Sequence, residues 1–297
     1  MRHGANGGWP CPVVPPGERG VPLRRMSGPS GSGEDPPMTD LPPAVVTAMR
    51  LIRRLGVEFV RRYHRLEVLP QIEPFPDEPV LIVANHGFGG IVDLNVFALL
   101  ATFDALRLDR PVTLLTHQLA WTLQVGRFLE PLGARPASRH AGWEALAAGR
   151  HVLVLPGGDV DASKSWRDRN TIVFAGRMGF AALAMEAGVP ILPIVTAGAG
   201  ESLLVLTAGQ GLARLTRTDR LLRLKALPVS VSLPWGLNIG AVGLLPYLPL
   251  PTKLVTAVLP AMRPAPGESA DQLARRVQEA MQARLTALTA GRRPLLG

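Results

Sequence analysis

The stretch Val83-Ala84-Asn85-His86-Gly87-Phe88-Gly89-Gly90-Ile91-Val92-Asp93 puts an imidazole and a carboxylate on one glycine-rich loop. The residues before it, "PVLIVA", read as a buried strand, and Asp93 stands where a helical pattern begins. A histidine at the carboxyl end of a parallel strand lies where α/β folds hold their ligands. Neutral imidazole takes a proton from a hydroxyl near neutral pH. It does so better when a carboxylate holds its other ring nitrogen. Asp93 meets that need if Gly87, Gly89 and Gly90 let the loop return through conformations with φ > 0. The alternative is a loop histidine that caps a helix. A dinucleotide fingerprint is a poorer match, because "GFGG" lacks the G-x-G-x-x-G spacing.

Two further segments carry candidate groups. In residues 152–166, "VLVLPGGDVDASKSW", a strand stops at Pro156-Gly157-Gly158-Asp159. Its two glycines expose amides that suit an oxyanion or a phosphate; otherwise they form an ordinary tight turn. In residues 176–198, "GRMGFAALAMEAGVPILPIVTAG", Arg177 precedes a helix that runs into a strand. No G-x-S-x-G elbow is present, and the single cysteine is Cys11, so the familiar hydrolase nucleophiles are missing. One cysteine also excludes an internal disulfide and a cysteine-rich metal site; no metal is expected.

The elements that must position these groups alternate. Strands are expected at 80–84, 111–116, 151–156, 189–195 and 253–262. Helices are expected at 92–104, 117–128, 140–149, 178–187, 201–225 and 269–288, the last opened by a Ser269/Gln272 capping box. Such alternation predicts a mixed α/β fold, its central sheet largely parallel and flanked by helices. An N-terminal helix at 44–66 combines apolar positions at steps of three and four with Arg50, Arg53, Arg54, Arg61, Arg62 and Arg65. It suits a membrane interface, or a core-packed helix with a solvated basic face. Prolines break the apolar run 227–251, leaving a membrane-dipping segment or a buried loop-and-strand region. The organisation expected is a Gly/Pro-rich disordered tail at 1–43, with Met1, Met26 and Met38 as alternative starts. A single domain follows at 44–297, made of the helix, a catalytic core at 67–262 and a C-terminal helix at 268–291.

The chain has 297 residues, a formal net charge of +9 and a pI near 11. That balance favours anionic partners. An aromatic content of 5% is low for a nucleic-acid stacking platform, so no nucleic-acid partner is expected. No run approaches the roughly 18 apolar residues of a spanning helix.

In order and separation, "NH…D", "VLVLPGGD" and "GRMGF…AGVPILPIV" together resemble the glycerolipid acyltransferase superfamily, the phosphatidate-forming type, over residues 44–262. The six residues between His86 and Asp93 exceed the family's usual H-x-x-x-x-D spacing and are similar to its glycine-rich "NHSGG…D" subgroup. "PGGDVD" replaces "FPEGTR" and looks like the "PGGAxE" block of the diacylglycerol acyltransferase branch. The resemblance implies an O-acyltransferase that moves a fatty acyl group from a thioester to a lipid hydroxyl, with His86 as base and Asp93 as its orienting partner. Acyl-CoA is the favoured donor, as co-substrate rather than cofactor, and acyl carrier protein the alternative. Asn85, Gly157, Gly158, Asp159, Arg177, Lys164 and Arg139 are the expected oxyanion- or substrate-binding residues. A neutral lipid alcohol is favoured over lysophosphatidate, and the enzyme is expected to lie peripherally on the cytoplasmic face of a membrane. A non-catalytic lipid- or nucleotide-binding α/β protein is the remaining alternative.

Overall fold

The computed structural model describes residues 42–70, 74–88, 93–116, 130, 133–218, 226–240 and 247–297. Its first part runs α1 (Pro43–Arg62), β1 (Glu67–Val68), β2 (Leu81–Ala84), α2 (Leu94–Leu106), β3 (Val112–Thr116), β4 (Ala134–Pro136), α3 (Arg139–Ala147) and β5 (His151–Val154). The second part runs α4 (Gly158–Ala162), α5 (Gly179–Ala187), β6 (Ile191–Ala197), β7 (Leu204–Thr207), α6 (Gln210–Leu215), β8 (Val229–Ser232), β9 (Gly236–Ile239), β10 (Val255–Val258) and α7 (Ala270–Thr289). The expected tail, with Cys11, and the expected helix at 117–128 fall outside the described residues.

Seven strands form the main sheet in the order β1-β10-β6-β2-β5-β3-β4. Among the described residues of this sheet only the β10–β6 pair is antiparallel, so the fold is the mixed, largely parallel α/β sheet flanked by helices. Central β2 is buried at every residue, which is why it reads as an unbroken apolar run rather than an alternating one. Leu81 and Val83 face a core shared with Leu183 of α5 and with Leu273, Val277 and Met281 of α7. Ile82 and Ala84 face Leu99 and Phe103 of α2. Helix α1 lies over α2, with Gly56 against the Phe97 ring. The expected capping box forms: Ser269 Oγ accepts from Gln272 N, and Gln272 Oε1 accepts from Ser269 N.

One expectation needs correction. Residues 201–225 do not make one helix. Leu204–Thr207 pairs with β8 as strand β7, and Gly209, at φ +63°, starts the short α6. The β-forming run "LLVLT" outweighs helical spacing here. Segment 227–251 contributes the antiparallel β8–β9 hairpin, completing a second sheet in the order β7-β8-β9.

Candidate active site

Strands β5, β2 and β6 are parallel neighbours, so their carboxyl ends open on the same edge of the sheet. Three loops distant in sequence therefore meet: Asn85–Phe88 after β2, Pro156–Asp159 after β5 and Gly198–Glu201 after β6. The β2 loop lies between the other two.

His86 Nδ1 lies 3.4 Å from Asp93 Oδ2, with both side chains largely buried. The separation is that of a close pair rather than a formed hydrogen bond. The other Asp93 oxygen caps α2, accepting from Asn95 N at 2.9 Å. The cap fixes the carboxylate at the helix start and turns its second oxygen to the imidazole. A proton on Nδ1 would face Asp93 and leave Nε2 to accept one from a hydroxyl. The intervening Gly89 and Gly90 lie outside the described residues. Gly87 serves a purpose other than positive φ: a Cβ there would sit 2.4 Å from Ala199 Cβ. Only glycine lets the histidine loop press against the loop after β6.

The peptide of His86 is held at both ends. Its N–H donates to Asp161 Oδ2 at 2.8 Å, and its carbonyl accepts from Lys164 Nζ at 3.3 Å. Asp161 and Lys164 are themselves paired at 2.8 Å and are 1% and 6% exposed. Asp161 Oδ1 also accepts from Val173 N, and Lys164 Nζ also donates to Thr171 O. Asp161 was not among the residues expected from sequence. Its place in "PGGDVD", matching the last residue of "PGGAxE", was the available signal.

Several expected substrate-binding groups have other work. The Asn85 side chain donates to Thr196 O at 3.0 Å and accepts from Thr196 N at 2.9 Å. Buried against β6, it continues the β2–β6 ladder where β2 ends. Gly158 N donates to Leu155 O at 3.1 Å, so the expected oxyanion pocket from both Gly157 and Gly158 amides is corrected: the second amide is taken by its own turn. Gly157 is required for space, since a Cβ would meet Asp161 Cβ at 2.1 Å. Arg177 ties the turn together, donating to the carbonyls of Pro156 and Gly157 and to Asp159 Oδ1 at 2.7 Å. Arg139 pairs with Glu186 of α5, an ion pair between two helices rather than a site contact. Lys164 is the clamp just described. Beside Gly87 and Phe88, a cavity of about 10 Å³, bordered by Lys164 and Arg169, has room for one water.

Behind the loop, the Phe88 ring meets Tyr247 edge-on at 5.9 Å and packs with Leu203 and Val205 of the smaller sheet. Burial first, then the Asp93 charge, pushes the Tyr247 phenol well above its usual range, so it stays protonated beside the carboxylate.

Sequence comparison bears on this site. The acyltransferase family's sequence model matches residues 56–197, which span the His86 loop and the Pro156–Asp159 turn. An uncharacterized protein of Mycobacterium tuberculosis is 30% identical over 254 residues, covering 82% of this chain and 67% of that protein. A Gallus gallus protein named as a DGAT1/2-independent enzyme synthesizing storage lipids is 30% identical over 135 residues, covering 45% of this chain and 39% of its own. The crystal structure of the 1-acyl-sn-glycerophosphate (LPA) acyltransferase PlsC from Thermotoga maritima shares the fold. Its TM-score is 0.50 at 15% identity, over 85% of this chain and 86% of that one. The match across both loops shows that this chain carries a domain of the acyltransferase superfamily at residues 56–197.

Proposed function

We infer that the protein transfers a fatty acyl group from an acyl thioester to the hydroxyl of a lipid, with His86 as general base. The observation that carries this reading is the His86–Asp93 pair at the open end of the central parallel strand. Nε2 takes the hydroxyl proton as the oxygen attacks the thioester carbonyl and forms the new C–O bond. Asp93 holds Nδ1–H and stabilises the imidazolium. The tetrahedral oxyanion collapses, the C–S bond breaks, and the imidazolium returns its proton to the departing thiolate. No covalent enzyme intermediate is needed. Acyl-CoA is the proposed donor, and the basic chain suits its phosphates.

A neutral lipid alcohol is the proposed acceptor. A phosphate-bearing acceptor needs fixed cations at the site, and four of those near the motifs already carry a carboxylate. Lys164 is paired with Asp161, Arg177 with Asp159, Arg139 with Glu186 and Arg135 with Glu130. One observation favours lysophosphatidate as the second reading: Arg167 is exposed and Arg169 stacks on Trp166 in the loop that follows Lys164. Peripheral attachment to the cytoplasmic face of a membrane completes the proposal. Among the described residues no helix is long and apolar enough to cross a bilayer, while α1 exposes Leu51, Ile52 and Leu55 among its arginines.

The test is acyl transfer from labelled acyl-CoA to diacylglycerol and lysophosphatidate offered together in mixed micelles. His86→Ala should lower turnover by about 10²-fold or more, and Asp93→Asn should also be severely impaired. Near-normal turnover in either variant would remove the base assignment. Preference for lysophosphatidate that disappears in Arg169→Ala would replace the neutral acceptor.

A further inference from the structure

The small sheet is inside out. In β8 the serines point inward: Ser230 and Ser232 are buried, while Val231 between them is exposed. Across the ladder Val231 faces Leu237 and Val229 faces Ile239. Leu237 and Ile239 are 66% and 60% exposed, and the turn adds Leu233 and Trp235, 57% and 48% exposed. Leu248, bridged to Leu233, extends the same apolar surface. An antiparallel strand covered on one side normally turns its apolar residues inward. Here the alternation has the opposite sense, and a continuous apolar surface of this kind marks an interaction site.

We propose that the outer face of the β7-β8-β9 sheet docks on an anionic lipid surface. Three observations favour lipid over another protein surface. Trp235 stands at the hairpin tip, and tryptophan is enriched at the headgroup level of bilayers. At the other end, Gly209, which starts α6, backs directly on the Leu227 carbonyl that leads into β8. That helix and the turn after it expose Leu215 between Arg214 and Arg217. Exposed apolar side chains with arginines beside them in the chain fit acyl chains beneath anionic headgroups. A second copy, by contrast, would set these arginines against their own kind, in a chain of net charge +9. The inner face of the same sheet supplies Val205 to the Phe88–Tyr247 cluster behind the His86 loop. Docking would therefore hold the candidate site close to a lipid surface. The inference rests on the peripheral attachment proposed above and stands apart from the catalytic reading.

The test uses the full chain with vesicles of phosphatidylcholine, with and without phosphatidylglycerol. The variant Val231→Ser, Leu237→Asn, Ile239→Thr changes only outward positions and should keep the parent's circular dichroism melt. Its partition onto phosphatidylglycerol-containing vesicles should fall at least about tenfold. A polarity-sensitive fluorophore on Leu237→Cys, in a Cys11→Ser background, should shift to the blue when those vesicles are added. Arg214→Gln with Arg217→Gln should weaken binding and flatten its salt dependence. Unchanged partition of the triple variant, with a label at 237 that still reports water, would overturn the proposal. So would a parent that ignores vesicles but self-associates, and that the triple variant returns to a monomer.

Discussion

Asp161→Ala removes the carboxylate that holds the His86 peptide. Asp161 is 1% exposed and receives three donors: His86 N at 2.8 Å, Val173 N at 3.0 Å and Lys164 Nζ at 2.8 Å. Alanine orphans two backbone N–H groups, at about 1–3 kcal/mol for each buried donor left unsatisfied. It also leaves Lys164, 6% exposed, as a buried cation without its partner, a change that costs about 3–5 kcal/mol. These costs overlap, because one carboxylate serves all three groups and water entering its place relieves part of the loss. The expected destabilisation is about 3–5 kcal/mol, read from urea unfolding curves followed by circular dichroism. Turnover is then measured below the unfolding transition. It should fall at least about tenfold, because His86 is no longer held in line with Asp93. The double variant Asp161→Asn, Lys164→Met separates the two effects. It keeps an acceptor for the His86 N–H and removes the lone cation, while the Val173 N–H still loses its partner, so part of the stability should return. An alanine variant that unfolds within about 0.5 kcal/mol of the parent, with undiminished turnover, would refute the idea that this pair positions the histidine.

Two further outcomes follow from buried groups elsewhere. Burial holds the pKa of both His64 and His151 below the ordinary 6.5, outweighing the Thr252 carbonyl at His64 and Asp109 at His151. His151 Nδ1 moreover accepts the Val80 N–H, so that nitrogen must be unprotonated. A lowered folded-state pKa means the unfolded chain binds protons first as pH falls. Stability is therefore full above about 6.5 and declines below it; a melting midpoint that stays flat from about pH 7.5 to 5.5 would contradict this. Near the C-terminus, Arg292 and Glu201 are 4% and 1% exposed and joined by two hydrogen bonds. Arg292→Met should lower unfolding stability by about 3–5 kcal/mol by leaving Glu201 buried without its partner, and a denaturant midpoint equal to the parent's would contradict it.

Local order determined much of this protein in advance. The run "VLIVA" reads as a strand covered on both faces, and β2 is buried throughout. Alternation of such strands with helices led to the mostly parallel sheet, because parallel neighbours need helical crossovers. The Ser269/Gln272 cap is a contact between residues three apart, and it formed as read. His86 and Asp93 were legible as a pair for the same reason: few residues separate them. What tertiary structure alone decided was the partner of each charge. Lys164, Arg139 and Arg177 all read as cations for a substrate, because a sequence displays charge and conceals where its counterion sits. Asp161 became the clamp on His86 from 75 residues away because β2 and β5 are adjacent and end on the same edge. Strand β7 and the outward face of β8 were likewise decided by pairing across the second sheet. Alternation along a strand shows that its two faces differ; only the packed neighbours show which of them is left to meet another surface.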